Sequence, residues 1–200
     1  MKVLHGVSEK FGLAWSLITA DAARWIVPEE KRDPSELTPV LLLSLLVRHQ
    51  SLRATCLLRI GHLAHSLGVR GFPSLIQRRL LSAYGLEISP GTPIEGGLYI
   101  AHPVGCVLQA KSIGRNATIV GSVTLGTRDD GQWPTLSDDV FLGVGARVLG
   151  GIEIGRGARV GANAVVLTSI SPGATAVGIP AVELPQKSSA VVGSEHTEHT

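Results

Sequence analysis

From residue 88 onward, aliphatic side chains return every sixth position, at Ile88, Ile94 and Ile100, at Ile113, Ile119 and Leu125, and at Leu136, Leu142, Val148, Ile154, Val160 and Val166. A helix repeats about every 3.6 residues and a strand every 2 or so, and neither gives this spacing. A second small or aliphatic set follows four positions later, at Leu98, Val104, Ala117, Val123, Val140, Ala146, Ile152, Ala158, Ala164 and Ile170. Gly or Asn fills the turns between, as in IGRNAT, LGVGAR, IGRGAR and VGANAV. Each unit therefore reads as a short strand and a tight turn, with its first and fifth side chains pointing inward. Units of this length stack into a parallel β-helix whose interior is filled by aliphatic side chains. With three units to a coil, residues 86–180 make a triangular prism of roughly five coils, each of about 18 residues.

Before residue 84 the period is helical, and three segments carry it: EKFGLAWSLITADAARWIV, LLLSLLVRHQSLRATCLLRIGHLAHSLG and FPSLIQRRLLSAYG. Pro28, Pro34 and VRGFP punctuate them. The expected organisation is an N-terminal helical region (1–84), a β-helix (85–182) and a flexible tail (183–200). The fold class is mainly β with a helical segment in front. At 200 residues one sizeable core is expected rather than two unrelated domains.

The formal charge is +2 and the 18 Lys and Arg are scattered, which leaves no electrostatic footprint for nucleic acid. Cys56 and Cys106 lack any metal or disulfide spacing and fit a reducing cytoplasm. The apolar run LTPVLLLSLLVRH is too short to cross a bilayer and reads as a buried helix, so no transmembrane segment is expected. His196 and His199 in the tail read as solvated rather than as metal ligands.

The repeat is interrupted twice. Ile100 to Ile113 is thirteen residues instead of twelve, so one residue is inserted close to His102. Leu125 to Leu136 is eleven, so GTRDDGQWPT leaves the prism as an external loop, the kind of segment that carries binding groups on a rigid scaffold. His102 holds the third place of its unit and should point outward. Glu87 precedes it by fifteen residues, a little less than one coil, which sets the carboxylate on the rung before. A carboxylate bonded to one ring nitrogen fixes the tautomer and raises the basicity of the other, preparing a general base.

The motifs GLEISPG, GLYIAHPVG, SVTLGT, LGVGARVLGGIEIGRGARVGANAVVL and AVGIPA, with LLRIGHLAHSLG upstream, resemble the serine acetyltransferase family of hexapeptide acyltransferases. The resemblance implies that the prism is left-handed, a known exception to the right-handed crossover rule. It implies that the histidine of the family's dyad falls on His102 and its carboxylate partner on Glu87. It also implies acetyl-CoA as co-substrate, without a metal, lying between neighbouring prisms of a homotrimer. Gly143, Gly145, Ala146, Gly161 and Ala162 would contact the pantetheine arm, with Arg147, Arg156 or Arg159 available for phosphates.

The chain departs from the family where the acceptor binds. Ala101 stands where an aspartate holds the amino group, and Gln132 and Trp133 replace a basic pair ahead of the loop proline. Asp33 in RDPSELTP corresponds to a further acceptor-binding aspartate only with altered spacing. Charge-assisted bonds are roughly twice as strong as neutral ones, so the expectation is an O-acetyltransferase for an acceptor other than serine, a sugar or another alcohol that Trp133 can stack on. Two alternatives are serine O-acetyltransfer and an inactive binding or assembly protein. A metal-dependent hydratase on a similar prism needs three histidines, whereas His102 alone occurs between residues 86 and 185.

Overall fold

Stacking of the sixth-position side chains sets the architecture. In the computed structural model, which describes residues 2–28, 30–128 and 131–185, they form three faces of a parallel β-helix of about five coils. The first face holds, in order, β1 (Leu86–Ile88), β3 (Cys106–Leu108), β6 (Thr124–Gly126), β9 (Arg147–Leu149) and β12 (Val165–Val166). The second holds β4 (Ser112–Ile113), β7 (Thr135–Leu136) and β10 (Glu153–Ile154), extended by bridges at Ile94 and Ile170. The third holds β2 (Tyr99–His102), β5 (Thr118–Gly121), β8 (Phe141–Leu142), β11 (Arg159–Val160) and β13 (Thr175–Gly178). A final strand, β14 (Ala181–Glu183), runs antiparallel along β13, and Leu184 N donates to Thr175 O at 2.7 Å.

Register puts like above like. Ile88, Leu108, Leu125, Val148 and Val166 form one interior ladder. Ile94, Ile113, Leu136, Ile154 and Ile170 form the second. Ile100, Ile119, Leu142, Val160 and Ala176 form the third. All are buried in one core, and each large aliphatic contributes roughly 1.5–3 kcal/mol relative to exposure. Asn116 (φ 55°) and Asn163 (φ 56°) turn corners in the left-handed region, which Asn tolerates through its short polar side chain.

The first break in the repeat resolves into two changes. Leu108, not Cys106, stands in the ladder, so the corner between β2 and β3 gains two residues and the next corner loses one. The expected inward place of Val104 is therefore corrected: it is 66% exposed, and Cys106 is buried in the core instead. The longer corner swings Val104 out of the prism.

Among the described residues four α-helices, not three, precede the prism: α1 (Lys2–Ala23), α2 (Pro39–Arg48), α3 (Gln50–Ser66) and α4 (Phe72–Tyr84). Thr38 caps α2 by accepting from Leu41 N, and Pro39 fits its first turn. The expected single helix over 41–68 is broken at His49 (φ −112°, ψ 103°), where Arg53 Nη1 donates to the free carbonyls of Leu46 and Val47. No Gly or Pro marks this break. The last helix stops at Gly85, which takes φ 62° and donates to Leu81 O.

The helices sit on the first coil through buried polar contacts. Arg59 of α3 is 1% exposed and forks onto Asp21 of α1 at 2.8 and 3.1 Å, while its remaining donors reach Ile94 O and Glu95 O, both at 2.6 Å. Asp21 also accepts from Leu98 N at 2.8 Å. Arg24 donates to Gly97 O, Asn116 O and Thr118 Oγ1. Gly61 lets α3 approach α4: a Cβ there would lie 2.9 Å from Ile76 Cγ2.

Candidate active site

Residue His102 ends β2 at the corner between the third and first faces, with its side chain exposed as the pattern of inward places requires. Three contacts fix its backbone. Ser51 Oγ on α3 donates to Ala101 O at 2.8 Å, Cys106 Sγ lies 3.5 Å from His102 O, and Gly121 faces it on the next coil. A Cβ at Gly121 would come within 3.0 Å of His102 Cβ. Ser51 and Gly121 were not sequence candidates. Only the fold brings Ser51, fifty residues upstream, to this corner.

Residue Glu87 points outward from β1, but on the first face. Its Oε1 accepts from Gln109 Nε2 at 3.4 Å, and it borders a hollow of about 330 Å³ together with Ser74, Gln77, Arg78 and Leu81 of α4. Among the described residues no ion pair joins it to His102.

Around His102 the acceptor-side positions are dispersed. Ala101 packs against the cluster of Trp25, Leu45, Leu52 and Tyr99, so the place before the histidine is apolar. The loop carrying Gln132 and Trp133 leaves the prism between β6 and β7, two coils away and at the corner between the first and second faces. Gln132 lies against Gly151, where a Cβ would be 2.7 Å from Gln132 Cβ, and Trp133 is 43% exposed. Asp33 caps a 3-10 turn over Pro34–Glu36 by accepting from Ser35 N at 2.8 Å, and that bond holds its carboxyl below the usual range. On either side of it, Lys31 pairs with Asp139 at 2.7 Å and Leu37 packs into the Ala101 cluster.

The residues expected to line a coenzyme separate by face. Ala146 is corrected: it is fully buried in the prism core, because it holds the fifth, inward place of its unit, and it offers no surface. Gly143, Gly145 and Gly161 serve coil stacking, since a Cβ would crowd Ala162 N at 2.7 Å, Asn163 Oδ1, and Val177 Cγ1 at 2.8 Å respectively. Ala162 is exposed. Arg147 on the first face donates to Ser122 O and Gly145 O, Arg159 on the third lies 4.0 Å over the Phe141 ring, and Arg156 at the corner between the second and third faces pairs with Asp138 at 2.8 Å. No single groove of one chain collects all three arginines.

Among the described residues no group of three His, Cys, Asp or Glu gathers as a metal site, and no helix is long and apolar enough to cross a membrane. His196 and His199 lie outside the described residues.

The model of the bacterial transferase hexapeptide family (six repeats) matches residues 134–168. The chain is 35% identical over 169 residues to serine acetyltransferase of Escherichia coli K12, covering 81% of this chain and 60% of that protein. It is 44% identical over 127 residues to serine acetyltransferase of Helicobacter pylori J99, covering 60% of this chain and 74% of that one. Among solved structures it is similar to Neisseria gonorrhoeae serine acetyltransferase in complex with serine, with a TM-score of 0.72, 28% identity, and coverage of 88% of this chain and 72% of that chain. It spans about 60% of the length of the Buchnera and E. coli relatives.

Proposed function

We infer the reaction from the premise that this chain belongs to the serine acetyltransferase family: it moves the acetyl group of acetyl-CoA onto the hydroxyl of L-serine. This replaces the expectation of a non-serine acceptor drawn from Ala101, Gln132 and Trp133. Relatives at 34–44% identity are serine acetyltransferases, and a structural neighbour is a serine complex. Three altered side chains do not by themselves remove the substrate, because a small zwitterion can be held by other groups and by backbone.

The observation that carries the reading is His102, an exposed imidazole on a coil end fixed from three sides. It takes the proton of the serine hydroxyl as that oxygen bonds to the thioester carbonyl carbon. The tetrahedral intermediate collapses with cleavage of the carbon–sulfur bond, and the imidazolium returns its proton to the CoA sulfur. Glu87 is the carboxylate proposed to orient His102, and in the lone chain Gln109 holds it. Because His102 and the Gln132–Trp133 loop lie at different corners of one prism, the complete site is proposed to form between copies in a homotrimer.

The test is turnover of L-serine with acetyl-CoA. The parent should reach a kcat/KM of roughly 10⁴ per molar per second or more. His102→Ala should lose about a hundred- to ten-thousand-fold, Glu87→Gln less, and both should keep the affinity for CoA. A parent that leaves L-serine unacetylated overturns the reading.

A further inference from the structure

We propose that Ser51 is a positioning residue for His102, an inference that rests on the role of His102 as the base. Its hydroxyl, on the second residue of α3, is buried and donates to the carbonyl oxygen of Ala101 at 2.8 Å. Ala101 and His102 share a peptide unit, so the atom that Ser51 grips belongs to the plane from which the His102 side chain springs. A planar peptide transmits that constraint directly, because only two soft dihedrals per residue remain.

The location gives the bond its importance. Among the described residues the strand β2 is the edge of the third face and pairs with β5 alone, so the helices supply its restraint on the open side. The start of α3 is itself held there, with Leu52 fully buried beside Tyr99, and with His49 against Trp25 at 4.6 Å and Trp25 against Tyr99 at 4.5 Å. From the opposite side Gly121 packs close to the Cβ and carbonyl of His102, where a Cβ of its own would crowd both. A displacement of about an ångström at a reacting group can cost a hundredfold in rate. Ser51 therefore aligns the imidazole with the acceptor hydroxyl without touching substrate, and it makes the rate of the prism's base depend on the helical cap.

The experiment measures kcat and KM for L-serine and acetyl-CoA in Ser51→Ala and Ser51→Thr, with His102→Ala alongside and thermal melting of each. Ser51→Ala should lower kcat about tenfold or more while KM for acetyl-CoA stays within about twofold and the protein remains folded at the assay temperature. Ser51→Thr, which keeps the donor, should restore most of the rate. Should Ser51→Ala fail to fold, Ser51→Cys keeps the shape with a weaker donor and should give the same split between kcat and KM. Full activity in Ser51→Ala, a rise in KM that accounts for the whole loss, or no recovery in Ser51→Thr overturns the proposal. If His102→Ala stays active, the base assignment falls and takes this one with it. If His102→Ala is dead while Ser51→Ala runs at full rate, Ser51 alone is refuted.

Discussion

Nε2 of His62 is buried and makes no hydrogen bond to the described residues. Burial, reinforced by the Arg59 and His65 charges, pushes this imidazole down to about 4. Between that value and its ordinary pKa near 6.5, the unfolded chain binds a proton that the folded chain refuses. Stability contributed by neutral His62 is therefore fully present above about pH 6.5 and is lost as pH falls toward 4. The expected size is at most about 3 kcal/mol. Melting curves from pH 7 to 4 for the parent and His62→Gln check it: the gap between the two should shrink on acidification. A constant gap would show that His62 does not feel its surroundings in this way.

Among the elements, α1 and α3 meet the prism through one fully buried ion pair rather than through an apolar seam alone. Arg59 is compensated only while Asp21 is charged and in place. Removing one partner of such a pair costs about 3–5 kcal/mol, because the other charge is left buried. Asp21→Asn should therefore lower the urea midpoint by that equivalent, and it should loosen the helices while the ladders of the prism persist. Hydrogen exchange read by mass spectrometry should show faster exchange across α1 and α3 with strands β6 to β11 still protected. Unchanged stability would mean that the apolar contacts of Leu58, Ile76 and Leu80 carry the docking. The RIGH motif gains a physical reason here: Arg59 anchors to the first coil, and Gly61 permits the close crossing of α3 and α4.

For the whole molecule, the separation of His102 from the Trp133 loop argues for assembly. Each lies on an exposed corner, and in the proposed trimer a neighbouring prism would bring one to the other. Light scattering should give three copies of the 21.0 kDa chain, and a variant lacking residues 127–133 should keep that mass while losing turnover. A stable monomer at about micromolar concentration and above, where an interface tighter than roughly 8 kcal/mol assembles, would contradict the proposed site.

The six-residue period by itself determined the prism. A ladder of identical inward places is a local, repeated rule, so Ile88 through Val166 could be placed in register from spacing alone, and so could the outward direction of His102. Motif resemblance added the family. What the period could not carry was anything decided between segments far apart in the chain. The two-plus, one-minus division of the first break, which expelled Val104 and drew in Cys106, is settled by which residues pair across coils. The break at His49 depends on an arginine side chain and a tryptophan face, not on a Gly or Pro that sequence would reveal. Glu87 and His102 lie on different faces because Glu87 registers with Val107, twenty residues on, so a spacing of fifteen ends just before the corner that leads to β3. Ser51 reaches Ala101 only because α3 folds over the open edge of β2. Local periodicity is written into each unit and can be read there, whereas these contacts exist only once packing has fixed how the helices lie on the coils.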